Sequence, residues 1–336
     1  MSTRAVRTAY ATRPPAPAPG AGRRILGAVA IAATVPYLAL KTAWLSGSRI
    51  GIPDGSVLLE PGPFFIAANT VTLAMDASVL LLVLVLTRPW GIRGPAWLLA
   101  VPVFVATGLL TPIVVAFPGQ LLIRALGFGA DPAVVAAREP FLDPWVFNVV
   151  YSGFMVQGLA LAGLFVPYAR ERWGRLWRGV TGAGVHPDGV RGRLPSSTGV
   201  VAAASAPAGL AVAAVYAYWA FGGTAGLAAE RAATHSAETG VVAAVHALCA
   251  LAAVAGTLLL VRGGGLRARW PLALAWVGAG ATLTWGAWTL LASLGPQLDG
   301  GEGPSAAVLL AYAGQMITGS LAAVVLSRFL ISRGEG

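Results

Sequence analysis

Long apolar runs, interrupted by short polar stretches, set the pattern of the chain. Eight runs reach the roughly 20 mostly apolar residues that a helix needs to cross a bilayer. They cover residues 25–46, 64–87, 96–119, 145–168, 200–222, 240–261, 271–294 and 305–329. Pro36, Pro102, Pro112 and Pro207 fall within or near them. Membrane helices tolerate such prolines because neighbouring groups satisfy the freed carbonyls. The pattern predicts an all-α, polytopic integral membrane protein with about eight transmembrane helices.

Composition agrees with this pattern. Of 336 residues, 57% are hydrophobic and 11% charged, against roughly 25% charged in a soluble domain. So few charges cannot build a water-facing surface on a chain this long. The net charge of +10 could mark a nucleic-acid binder or a membrane protein with basic cytoplasmic loops, and its placement decides between them. With a cytoplasmic N-terminus, the segments on the inner side, counted with Arg328 at the end of the last run, hold 18 Arg and three acids, and the outer loops hold four Arg and nine acids. This is the positive-inside asymmetry, so the expected location is the cell membrane with both termini cytoplasmic. The expected surroundings are a lipid bilayer and not nucleic acid. The basic segment with Arg170, Arg172, Arg175, Arg178, Arg191 and Arg193 is expected to lie against anionic headgroups. Trp44, Trp145 and Trp219 fall near the outer boundary, and Trp90, Trp97, Trp173, Trp177 and Trp270 near the inner one, as in aromatic belts.

The spans repeat. Residues 44–52, WLSGSRIGI, match residues 219–227, WAFGGTAGL, at Trp44/Trp219, Gly47/Gly222 and Gly51/Gly226. Residues 151–158, YSGFMVQG, match residues 312–319, YAGQMITG, at Tyr151/Tyr312, Gly153/Gly314, Met155/Met316 and Gly158/Gly319. A four-span unit followed by itself accounts for both matches. An even number of spans per unit makes the two copies parallel repeats. The expected organisation is a disordered tail (1–23), a first four-helix unit (24–169), a basic cytoplasmic loop (170–199) and a second four-helix unit with a short tail (200–336). The stretch YAYWAFGGTAGL at 216–227 resembles uncharacterised bacterial, actinobacterial-type four-helix membrane domains with a Tyr-Trp-Ala-x-Gly-Gly pattern. LKTAWLSGSRIGI at 40–52 is a more degenerate version. The resemblance implies a tandem pair of such domains and carries no activity onto any residue. The glycines have a structural role available, in close helix approach or in shaping a turn.

Polar groups within the spans are the candidate chemistry, because burying them in lipid is costly. Lys41 is the chain's single lysine, and Asp76 is the single acid within a span. A Lys41–Asp76 pair would lower the burial cost of both; alternatively Lys41 snorkels outward. Asn69, Thr70, Thr72, Asn148, Tyr151, Gln157, His246 and Gln315 lie at similar depths. Lys41, Asn69, Asp76, Asn148, Gln157 and His246 form the candidate intramembrane polar site. Interhelical hydrogen bonding is the plainer reading of the same residues. At an offset of 174, Thr72 corresponds to His246 and Asp76 to Ala250, so the ionisable site belongs to the first unit.

Known catalytic patterns are absent. The chain has no P-loop, no zinc-protease His-Glu pattern and no Gly-x-Ser-x-Gly elbow. A single cysteine, Cys249, rules out an internal disulfide and a cysteine metal site. His186 and His235 fall in loops, and no cofactor is expected. An accessory or assembly component is the leading expectation, with a protein partner. A small-molecule or ion permease with a polar site in the outer half, and a membrane enzyme acting on a lipid or isoprenoid, are the alternatives.

Overall fold

A computed structural model of the chain describes residues 20–59, 62–130, 142–177, 181, 196–263, 265–295 and 303–334. Among these residues the fold is all helical, with no strand. The long helices are α1 (Ala21–Leu45), α2 (Pro63–Thr87), α3 (Ala96–Ala125), α4 (Pro144–Trp177), α5 (Ser196–Ala220), α6 (Ala237–Arg262), α7 (Arg269–Ala292) and α8 (Ala306–Gly334). Local chemistry sets several ends. Pro63 opens α2 at a position where its missing N–H costs nothing. A reciprocal cap between Ser236 and Thr239 opens α6.

Seven of these helices are long and apolar enough to cross a membrane. The exception to the sequence expectation of eight is α7, which matches the others in length. Trp270, Trp276, Trp285 and Trp288, with three threonines and three glycines, dilute its apolar content. It is also an interior helix, packed against α3, α6 and α8, so little of it needs to suit lipid.

The helices of the second half close into a ring, α5 on α6, α6 on α7, α7 on α8 and α8 on α5. The α6–α7 seam is tight. A Cβ on Gly256 would lie 2.3 Å from the Ala275 nitrogen, and one on Gly278 would lie 2.2 Å from the Ala253 nitrogen. In the first half, α1 packs on α2 and α4, and α3 on α4, but α2 and α3 barely touch. Instead α3 is fastened elsewhere along its length. At one end the turn preceding it is held by α4, where Tyr168 Oη donates to the Gly91 carbonyl at 2.8 Å and Arg172 to those of Gly91 and Gly94. In the middle it crosses α7 at Gly108 and Gly280, where a Cβ on Gly108 would lie 2.3 Å from the Gly280 oxygen. Trp285 Nε1 donates to the Leu109 carbonyl at 3.1 Å beside that crossing. At the far end the Arg124 guanidinium grips the Glu238 carboxylate on α6 through two donors, and the Ala130 N–H adds a third at 3.1 Å.

The turns after α1 and α5 have one geometry. Trp44 Nε1 donates to the Ile50 carbonyl (2.8 Å) and Trp219 Nε1 to the Ala225 carbonyl (3.1 Å). Gly47, Gly51, Gly222 and Gly226 all have positive φ, between 71° and 93°, a region glycine enters without steric penalty. The backbone bonds Ser48 N–Ala43 O and Ile52 N–Arg49 O recur as Gly223 N–Tyr218 O and Leu227 N–Thr224 O. Each turn is then tied to the residue that precedes a later helix. Asp143 N donates to the Gly51 carbonyl at 2.9 Å, and Ser305 Oγ to the Gly226 carbonyl. Trp44 and Trp219 are therefore buried anchors of these turns, at 8% and 6% exposed, and not belt residues facing lipid. Trp90, Trp97, Trp145 and Trp270 are exposed. Of the basic loop expected at 170–199, residues 170–177 continue α4 past an irregular backbone position at Trp173. Residues 1–19 of the tail, and His186, lie outside the described residues.

The α6–α7 seam gives a test. Gly278→Val places methyl groups against rigid backbone, where overpacking costs about 3 kcal/mol. A clear drop in the thermal midpoint of the detergent-solubilised protein is expected. Gly174→Ala, at a site with open space around it, is expected to leave the midpoint unchanged; equal effects of the two would contradict the tight seam.

Candidate functional site

The gap between α2 and α3 is a cavity of about 380 Å³, within the roughly 300–1,000 Å³ of small-molecule pockets. It is lined by α2, α3 and α4, with Tyr37 of α1 and Trp285 and Trp288 of α7. Most of the wall is apolar, from residues such as Val79, Val105, Ala106 and Leu109. Ser78, Val101 and Pro102 on its rim are exposed on the outer surface of the helices. The opening therefore points sideways, towards whatever surrounds the bundle.

The polar groups of the wall are Tyr37, Thr72, Asp76, Ser78, Tyr151 and Gln157, with the indoles of Trp285 and Trp288. Asp76 lies mid-helix on α2 and is 5% exposed; Gln157 on α4 is 2% exposed. Gln157 Nε2 donates to Asp76 Oδ1 at 3.2 Å. The second carboxyl oxygen, Asp76 Oδ2, and the amide oxygen, Gln157 Oε1, are buried without a hydrogen-bond partner. An unsatisfied buried polar atom costs about 1–3 kcal/mol, and more when charged. The amide is oriented by its neighbour, since only its nitrogen can donate to the carboxylate.

Lys41 does not pair with Asp76. Its ammonium donates to Asn69 Oδ1 at 2.6 Å and lies 5.0 Å and 5.1 Å from the ring centroids of Tyr37 and Trp44. Asn69 precedes Asp76 by seven residues, about two turns or roughly 10 Å along α2. The amide and the two aromatic faces replace a carboxylate as the lysine's partners, the rings through cation–π attraction. The described residues contain two ion pairs, Arg23–Glu171 and Arg124–Glu238, and neither touches the cavity.

The remaining candidates separate. Asn148 is exposed on α4. His246 is buried in the second half, where Gln315 Nε2 lies 3.1 Å from its Nδ1 and Tyr216 Oη donates to Gln315 Oε1 at 3.2 Å. Trp285 stands between the two interiors, edge-on to His246 at 5.6 Å and lining the cavity with its other side. The sequence reading grouped six residues as one site, of which the structure brings together Asp76 with Gln157 and Lys41 with Asn69. It missed Tyr37, Trp285, Trp288 and the whole α3 wall. The α3 residues are ordinary apolar side chains, and their only advance signal was the density of prolines in that span. Among the described residues no three of His, Cys, Asp and Glu converge as a metal site would require.

Asp76→Asn is expected to stabilise the ligand-free protein. An asparagine would keep the bond from Gln157 and donate its own N–H to Gln157 Oε1, removing an unpaired buried charge. The expected gain is about 1–3 kcal/mol, read as a raised thermal midpoint in detergent; a lowered midpoint would mean that the carboxylate holds the fold together.

No protein-family model matches the chain, and comparison with curated proteins and with solved structures likewise found no match.

Proposed function

We propose that the chain is an eight-span membrane protein made of two four-helix units in the same orientation, and that its first unit binds a small, largely apolar molecule from the bilayer. Binding of this kind belongs to a carrier or permease-type protein rather than to a purely structural accessory subunit. The observation that carries the reading is the cavity between α2 and α3, which is apolar, open sideways and furnished with a buried carboxylate that the protein leaves half-paired. Small-molecule sites combine these features, an apolar wall with few placed polar groups.

The architecture supports the reading at each level. At 24 residues, α7 is roughly 36 Å long, enough for a hydrocarbon core of about 30 Å. Two units explain why the turns after α1 and α5 share their hydrogen bonds and glycine φ angles. They also explain the matching neighbours of the repeated glycines: Gly153 faces α1 and Gly158 faces α3, while Gly314 faces α5 and Gly319 faces α7. The Arg-rich ends contact one another, as in Arg23–Glu171, Arg328 to Ser197 and Arg333 to the Leu176 carbonyl. That grouping favours one basic face with both termini on it, the cytoplasmic side by the positive-inside rule.

Native mass spectrometry of protein taken from membranes into lipid nanodiscs tests the binding. A non-protein mass should accompany the wild type and fall at least about tenfold in Ala106→Phe, which fills the cavity from the α3 wall. Equal occupancy in both, or none in either after incubation with alkyl amphiphiles, would sink the proposal.

A further inference from the structure

The cavity's polar end has a definite hydrogen-bond polarity. With Asp76 ionised, the two orphan atoms, Asp76 Oδ2 and Gln157 Oε1, are both acceptors. A molecule that completes this site must supply at least two hydrogens from one head, and another acceptor there would be repelled. The site also lacks a countercharge for its carboxylate. Lys41 is committed to Asn69 two turns away, and the arginines of α2, α3 and α4 sit at or beyond the helix ends. A cation brought by the ligand would therefore find Asp76 unopposed, in a low-dielectric setting where pairing is strong. The remainder of the cavity offers no polar group near its α3 wall, where Val105, Ala106 and Leu109 accept only an apolar body.

The second half shows a closed alternative at the corresponding position. Ala250, at the place corresponding to Asp76, is 0% exposed, and Gly256 and Gly278 bring α6 and α7 into backbone contact. The nearby polar side chains Tyr216, Gln315 and His246 bond to one another. A closed seam and a bonded Tyr216–Gln315–His246 cluster go together there, although Thr318 Oγ1 on α8 is also buried without a partner, and an open seam and two free acceptors within one contact go together in the first half.

We infer that the cavity is selective for a cationic amphiphile: an alkyl or otherwise apolar body carrying a primary or secondary ammonium, whose N–H groups bridge Asp76 Oδ2 and Gln157 Oε1 while the body lies against α3. The inference rests on the cavity being the binding site, as proposed above, and adds the class of headgroup.

Three probes of one chain length decide it: dodecylamine, dodecanol and dodecanoate, titrated into the full-length protein in phosphatidylcholine nanodiscs with empty discs subtracted. The readout is the shift in thermal midpoint with probe concentration. Wild type is expected to favour the amine over the alcohol by at least about tenfold and to reject the carboxylate, by the arithmetic of one lost charged hydrogen bond. Asp76→Asn should erase the preference while still binding dodecanol, which also shows that the variant is folded. If Asp76→Asn keeps the amine preference, or wild type shows none, the headgroup inference is overturned while cavity binding stands. If Ala106→Phe leaves the binding of all three probes unchanged, the cavity itself is not the site, and both readings fall.

Discussion

The crossing of α3 over α7 is the contact on which the rest depends. At Gly108 and Gly280 the two backbones approach so closely that a single added carbon would collide with a carbonyl. Within a bilayer the lipid is as apolar as the helices, so helix association comes from close packing of small residues and from hydrogen bonds. This crossing supplies both, since the indoles of Trp276 and Trp285 donate to Thr107 and Leu109 on either side of Gly108. Once α3 is fixed to α7, its C-terminal end reaches Glu238 and the turn preceding it is held by Tyr168 and Arg172. None of these contacts draws it towards α2. The cavity is therefore the geometric remainder of where α3 is bound, and its width does not depend on any residue holding it open.

That remainder would be a defect if it were merely apolar, because lining atoms with no neighbour lose their dispersion contacts. Two solutions are visible in one chain. In the second half, glycines and alanines let α6 and α7 close into backbone contact, and Tyr216, Gln315 and His246 bond to one another. In the first half the space is kept, and a carboxyl is placed in its wall with half of its hydrogen-bonding capacity unused. A wall that only had to be stable could carry an apolar side chain there, which would leave no buried polar atom unpaired.

Much of the fold was legible in the sequence because a bilayer constrains the chain so tightly. Each of the eight apolar runs coincides with a long helix. The Trp-x-x-Gly-x-x-x-Gly pattern was legible as a structural element because positive-φ glycines and an indole donor leave few other conformations. Its burial of Trp44 and Trp219 was not, since a tryptophan near a span end reads equally well as a lipid-facing belt. Helix neighbours were the main blind spot. No local pattern says that α3 binds α6 and α7 in preference to α2, because that choice lies in glycine contacts between segments about 170 residues apart. For the same reason Lys41 and Asp76, two opposite charges on adjacent spans, invited a pairing that the register does not permit.

Asn69 shows how that pairing is avoided. It occupies the face of α2 that Lys41 can reach and accepts the ammonium's hydrogen bond, while its own amide nitrogen donates to the Phe65 carbonyl. The lysine needs nothing more from the protein, because Tyr37 and Trp44 cover it with aromatic faces. A lysine placed one or two turns deeper would have neutralised Asp76 and closed the polar end of the cavity. With the chain's only lysine held near the C-terminal end of α1, the carboxylate at mid-helix has no cationic partner among the described residues. The two ionisable groups are thus better understood as being kept apart than as a pair that failed to form, and the separation is what leaves Asp76 able to recognise a charge that comes from outside the chain.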